Sequence, residues 1–155
     1  MARFHVPGIA ASRLNKKEYV YSDLGFILFR QMIDSITGVP FDAYLDSVFY
    51  RKLGATRLCF NPLGKFPRQN IAPTEDDQLF RKQLIRGYVH DQRAAMFGGV
   101  SGHAGLFGNA VDLAKLFQMM LNNGVYGGER YISKQTIELF TSRQSTMANN
   151  RRGLG

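Results

Sequence analysis

Residues 21–38 read YSDLGFILFRQMIDSITG, and the fold turns on how this stretch is taken. Leu24, Ile27, Leu28, Met32 and Ile36 recur at helical spacing and share one apolar stripe. Ser22 or Asp23 stands where a short polar side chain caps a helix start, and Gly38 where a helix stops. The aliphatic density predicts a helix that is mostly buried. Directly after it, VPFDAYLDSVFYRKLG (39–54) predicts a second helix, with Pro40 in its first turn, Gly54 as its stop, and Phe41, Leu45, Val48 and Phe49 facing the core. The turn between them is so short that the two helices should pack as neighbours.

Outward from this pair the signals alternate. Residues 55–75 hold Pro62, Pro67 and Pro73 and read as irregular surface chain. TEDDQLFRKQLIRGYV (74–89) is open to two readings: Thr74 capping a short helix, or LIRGYV running extended. Asn109 caps a helix over AVDLAKLFQMMLNNG (110–124), whose expected core stripe is Leu113, Leu116, Phe117, Met120 and Leu121. VYGGERYI (125–132) predicts two short extended pieces about Gly127–Gly128, and Ser133 caps a last helix, KQTIELFTSRQ. About four helices and hardly any strand make the chain mainly α.

Bulk properties narrow the function classes. The chain has 155 residues, 45% of them hydrophobic, so it can bury a core and is not disordered. Its single cysteine, Cys59, cannot form an internal disulfide and lacks metal-ligand spacing; it reads as a buried thiol. A net charge of +8 raises nucleic-acid binding, but the basic residues come in scattered pairs such as Lys16–Lys17 and Arg81–Lys82, so no nucleic-acid partner is expected. No apolar run is long enough for a signal peptide or a membrane span. Zinc signatures and phosphate loops are absent; neither a metal nor a cofactor is expected.

Serine-hydrolase motifs need a closer reading. Gly99-Val100-Ser101-Gly102-His103 fails the G-x-S-x-G elbow at its last position. No serine has a lysine three residues on, the spacing that lets an amine take a serine proton. His103-Ala104-Gly105 matches His-x-Gly literally but precedes a capped helix rather than lying on a strand. Tyr21-Ser22-Asp23 reads alone as a helix cap behind a surface tyrosine.

Taken together, YVYSDLGFILFRQMIDSITGVPFDAYLDSVFYRKLGATRL and the block from IAPTEDD through RGYVHDQRAAMFGGVSGHAGLFGNAVDLAKLFQMMLNNG resemble the β-lactamase-like serine hydrolases. That group holds class C β-lactamases, D-Ala-D-Ala carboxypeptidases and related esterases. The likeness runs from about residue 19 to 142. It implies the helical lobe of an α+β, β-lactamase/transpeptidase-like fold, with most of the antiparallel sheet missing: a single partial domain with an arm over 1–18, the lobe over 19–142 and a polar tail over 143–155. It implies that the Ser-x-x-Lys pair lies upstream of the chain and the Lys/His-Thr-Gly strand downstream. The chain alone is then expected to be inactive, with a helical binding or assembly module as the alternative.

The resemblance also implies roles. Tyr21-Ser22-Asp23 would stand for Tyr-x-Asn, with Tyr21 helping to activate the nucleophile or to protonate the leaving group. A phenol of free pKa about 10 needs nearby cations for this work. Asp23 replaces an amide and cannot donate as one, though it can hold a lysine. His90, Asp91, Ser101 and His103 are the pocket candidates, either bordering the substrate cavity or holding their loop by local hydrogen bonds. The glycines at 98, 99, 102 and 105 should let this loop fold tightly against the helix that follows. The implied partners are an ester, lactam or peptide substrate in a longer parent protein, and a second copy through an exposed apolar face. The parent is expected to be exported to the periplasm or cell envelope, and similar domains in some bacteria follow a glycoside hydrolase domain.

Overall fold

The computed structural model describes residues 21–145, 152 and 153. The expected arm over 1–18 and most of the polar tail lie outside the described residues. Helix α1 spans Leu24–Thr37 and ends on Gly38, which donates its N–H to the Asp34 carbonyl at 3.0 Å and then turns the chain out of the helix through a left-handed backbone. Helix α2, Phe41–Leu45, starts behind Pro40 and packs against α1, as the short turn requires.

The α2 helix runs on through a π-turn over Asp46–Tyr50, which sequence periodicity does not reveal. The Arg51 N–H reaches back five residues to the Asp46 carbonyl, so the helix gains a residue in one turn. Gly54 then closes it: its N–H donates to the Arg51 carbonyl (3.1 Å) and the Ala55 N–H to the Tyr50 carbonyl (2.8 Å), the paired bonds of a Schellman end. This geometry carries Tyr50, Leu53, Ala55 and Leu58 into one cluster with Met119.

Among the described residues, three two-stranded antiparallel ladders join these helices. Strand β1 (Cys59–Phe60) pairs with β4 (Leu106–Phe107). Strand β2 (Pro73–Asp77) pairs with β3 (Gln83–Arg86), which settles the ambiguous 74–89 stretch as a hairpin rather than a helix. Strands β5 (Val125–Tyr126) and β6 (Glu129–Arg130) flank the expected glycine turn. Between the ladders lie helix α3 (Gln92–Met96), helix α4 (Ala110–Leu121), capped by Asn109, and helix α5 (Lys134–Thr141), capped by Ser133. Cys59 is half-buried and free, and burial pushes its thiol pKa up.

Two expectations need correction. Helix α1 is not mostly buried: Ile27 is its buried residue, while Phe29, Met32 and Ile36 face outward, Ile36 at 74% exposure. Helix α4 turns the other way from its expected stripe. It buries Asp112 and Met119, with Leu116 half-buried, and shows Leu113, Phe117, Met120 and Leu121 to solvent. The cause is polar. Asp112 Oδ2 accepts the Arg57 backbone N–H (2.8 Å), and Lys115 Nζ donates to the Gly54 carbonyl (2.5 Å) and to Asp112 Oδ1 (3.0 Å). Those ties fix the helix's rotation, and apolar spacing alone cannot foresee them.

Candidate functional site

A cleft of about 360 Å³ opens at the start of α1, lined by Asp23, Glu75, His90, Asp91, Gln92 and Arg93. Asp23 is the residue before the helix, and its carbonyl accepts the first helical bond from the Ile27 N–H (3.1 Å). Its side chain makes no capping bond; Ser22 Oγ takes the Leu24 N–H instead, at 3.3 Å. The Asp23 carboxylate is therefore left to the cleft.

The opposite wall is built on the β2–β3 hairpin and locked by Arg81. Its guanidinium donates from Nε to Asp77 Oδ2 (2.7 Å), from Nη1 to the Val89 carbonyl (2.7 Å), and from Nη2 to Glu75 Oε2 (2.8 Å) and the His90 carbonyl (2.7 Å). Buried Asp77 also accepts the backbone N–H groups of Leu79, Phe80 and Arg81, closing the hairpin turn. The Arg81 hydrogen bond, helped by those N–H groups against the opposing effect of burial, brings its carboxyl down to about 2. Glu75 Oε2 lies 3.1 Å from His90 Nδ1 at the mouth of the cleft.

Behind this wall runs a hydrogen-bonded chain of three side chains. Ser101 Oγ lies 2.9 Å from His103 Nδ1, and His103 Nε2 lies 2.9 Å from Asp91 Oδ1. Asp91 Oδ1 also accepts the Ala94 N–H (2.7 Å) and so caps α3. Burial pushes the Asp91 carboxyl up, but the Ala94 N–H and His103 outweigh it and hold it below the usual range. An ionised Asp91 only accepts, so His103 Nε2 carries a hydrogen and, in the neutral ring, Nδ1 accepts from the Ser101 hydroxyl. The order is the reverse of a hydrolytic triad, where serine faces Nε2 and aspartate Nδ1. Ser101 and the His103 side chain are each only 3% exposed, so no substrate carbonyl can reach that hydroxyl.

The loop between these residues is pressed against the first turn of α1. A Cβ on Gly102 would stand 2.2 Å from the Phe26 carbonyl oxygen, so only glycine fits there.

Of the residues singled out from sequence, Asp23, His90 and Asp91 meet at the cleft, while Ser101 and His103 stand behind its wall. Tyr21 is half-exposed before α1, with the Arg152 guanidinium 4.8 Å from its ring centre. Sequence reasoning missed Glu75, Gln92, Arg93 and the Arg81 clamp. The one legible hint was Asp77 followed four residues on by Arg81 in a polar turn. Among the described residues no group of three or more metal-ligating side chains converges. No helix there is long and apolar enough to cross a membrane. The cleft can hold and orient a polar ligand through carboxylates, an imidazole and a guanidinium.

Comparison with known proteins gives this site a setting. Proteins named "Putative D-alanyl-D-alanine carboxypeptidase" match at 42% identity over 137 residues in Escherichia coli K12 and at 39% over 138 residues in Salmonella heidelberg. Each match covers 81% of this chain and 32% of the relative, so the chain spans about a third of the length of these curated relatives. The octameric penicillin-binding protein homologue from Pyrococcus abyssi superposes with a TM-score of 0.64 at 20% identity, over 88% of this chain and 29% of that one. That likeness shows a penicillin-binding-protein type of fold. The family model described as Beta-lactamase matches residues 9–155. The chain therefore belongs to the beta-lactamase family.

Proposed function

We propose that this chain is the helical lobe of a serine hydrolase that cleaves peptides through an acyl-serine intermediate, and that it is inactive alone. In this reading the attacking serine and its lysine stand on polypeptide beyond these 155 residues. Tyr21 assists proton transfer, Asp23 holds the lysine, and the cleft beside Asp23 receives part of the substrate. The observation that carries it is Asp23, which opens α1 without capping it and faces a polar cleft with His90 and Asp91. The carboxypeptidase name of the relatives favours a peptide over a lactam or ester. The same relation supports export to the cell envelope.

The test compares the 155-residue chain with a longer polypeptide that includes a Ser-x-x-Lys segment. Both are given nitrocefin, a short p-nitrophenyl ester and a peptide ending in D-Ala-D-Ala. The expected result is turnover by the longer protein alone, with the peptide preferred. Turnover by the short chain that a serine-directed inhibitor abolishes would overturn the assignment, as would a longer protein inert toward all three.

A second reading, an assembly module without catalysis, draws on the outward apolar residues of α1 and α4. The Pyrococcus abyssi homologue is octameric, and self-association of this chain would fit that pattern.

A further inference from the structure

We propose that His103 is a positioning residue of the cleft, acting through Asp91, and that Ser101-Gly102-His103 forms a strut setting the distance between the cleft's two edges. The inference deepens the hydrolase reading and rests on it only for its kinetic arm.

Three observations converge. The His103 side chain is buried yet bonded at both ring nitrogens, 2.9 Å to Ser101 and 2.9 Å to Asp91. A buried imidazole or hydroxyl is costly unless so satisfied, and an apolar pair of similar size would fill the space without that demand. What an apolar pair cannot do is hold a carboxylate. The Ala94 and His103 bonds both end on Asp91 Oδ1, which fixes the carboxylate plane and leaves Oδ2 unused by either. The third observation is Gly102, seated between Ser101 and His103 with its α-carbon against the Phe26 carbonyl of α1. One edge of the cleft, Asp23, rides on that same first turn of α1. The other edge, His90 to Arg93, hangs from Asp91. A three-residue segment thus touches both edges from behind while lining neither.

Rigid support behind a site is what keeps its geometry productive. Two substitutions separate the role of the Asp91 bond from simple packing. His103→Gln places an amide nitrogen near the position of Nε2 and keeps a donor to Asp91. His103→Asn keeps a partner for Ser101 but cannot reach Asp91.

Backbone amide spectra of the 155-residue chain read both edges directly. The expected outcome is that H103N shifts the amides of Asp23 and of Asp91 to Arg93, while H103Q leaves them near their wild-type positions. Equal effects of the two variants, or changes confined to residues 99–105, overturn the proposal. If H103N does not fold, Ser101→Ala decides. Without the hydroxyl the ring keeps its Nε2–H on Asp91 but loses its second anchor, so it should rock on that one bond and broaden the Asp91–Arg93 amides; sharp, unmoved amides there overturn it. In the longer hydrolase, H103N should raise KM for the peptide about tenfold with kcat within about twofold, and H103Q should restore it. A longer protein inert toward every substrate sinks the hydrolase assignment, while the amide result still decides the strut.

Discussion

Asp77 and Arg81 show how much of one wall depends on a single pair. Arg81 reaches two carboxylates and two carbonyls from a planar fork, a geometry that a lysine ammonium cannot reproduce. Asp77 has its pKa lowered from 3.8 to about 2, so its ionised form stabilises the fold fully above pH 3.8, and that contribution is lost as pH falls through 2. Asp77→Asn should therefore lower the thermal midpoint at pH 5, and its deficit relative to wild type should shrink as both are taken to pH 2. Circular dichroism melts check this, and a deficit constant from pH 5 to 2 would contradict it. The sequence offers only the Asp77-to-Arg81 spacing as a hint, because a clamp of this kind exists only once a hairpin brings positions 75, 77, 89 and 90 around one guanidinium. Asp23, His90 and Asp91 stood out only through the resemblance to a known family; read alone, Tyr21-Ser22-Asp23 is a helix cap.

Helix boundaries were far easier to read than helix faces. Gly38, Asn109 and Ser133 act where the chain's own local bonds decide, so the ends of α1, α4 and α5 follow from short-range rules. Rotation about the helix axis is set by long-range partners, and α4 shows the consequence. Its buried Met119 lies in the main cluster, whereas Phe117 is 53% exposed. Met119→Ala should cost about 2–5 kcal/mol through transfer and cavity terms. Phe117→Ala should stay within about 0.5 kcal/mol despite removing a larger side chain. Urea midpoints of the two variants give the comparison, and a reversed order would mean the helix sits with its other face inward. The π-turn after α2 was illegible for a related reason: a slip to five-residue bonding has no residue signature, only a packing benefit for Tyr50 and Leu53.

Over the described residues, two helices turn large apolar side chains to solvent. Outward-facing Phe29, Met32 and Ile36 on α1, and Val111, Phe117 and Leu121 on α4, remain in water while the fold is intact, Leu121 at 77% exposure. The mainly helical reading survives this, since helices need only local bonds. The expectation of a well-buried first helix does not, because burial needs a neighbour that apolar spacing cannot supply. Unfolding raises heat capacity chiefly by wetting apolar surface, and much of that surface is already wet here. A 155-residue chain would ordinarily show an increment of about 2 kcal/mol/K. Differential scanning calorimetry of this chain should return a clearly smaller value. Its stability should then vary with temperature along a shallow arc, resisting cold better than a well-packed domain of equal length, and an increment at the full ordinary value would contradict this.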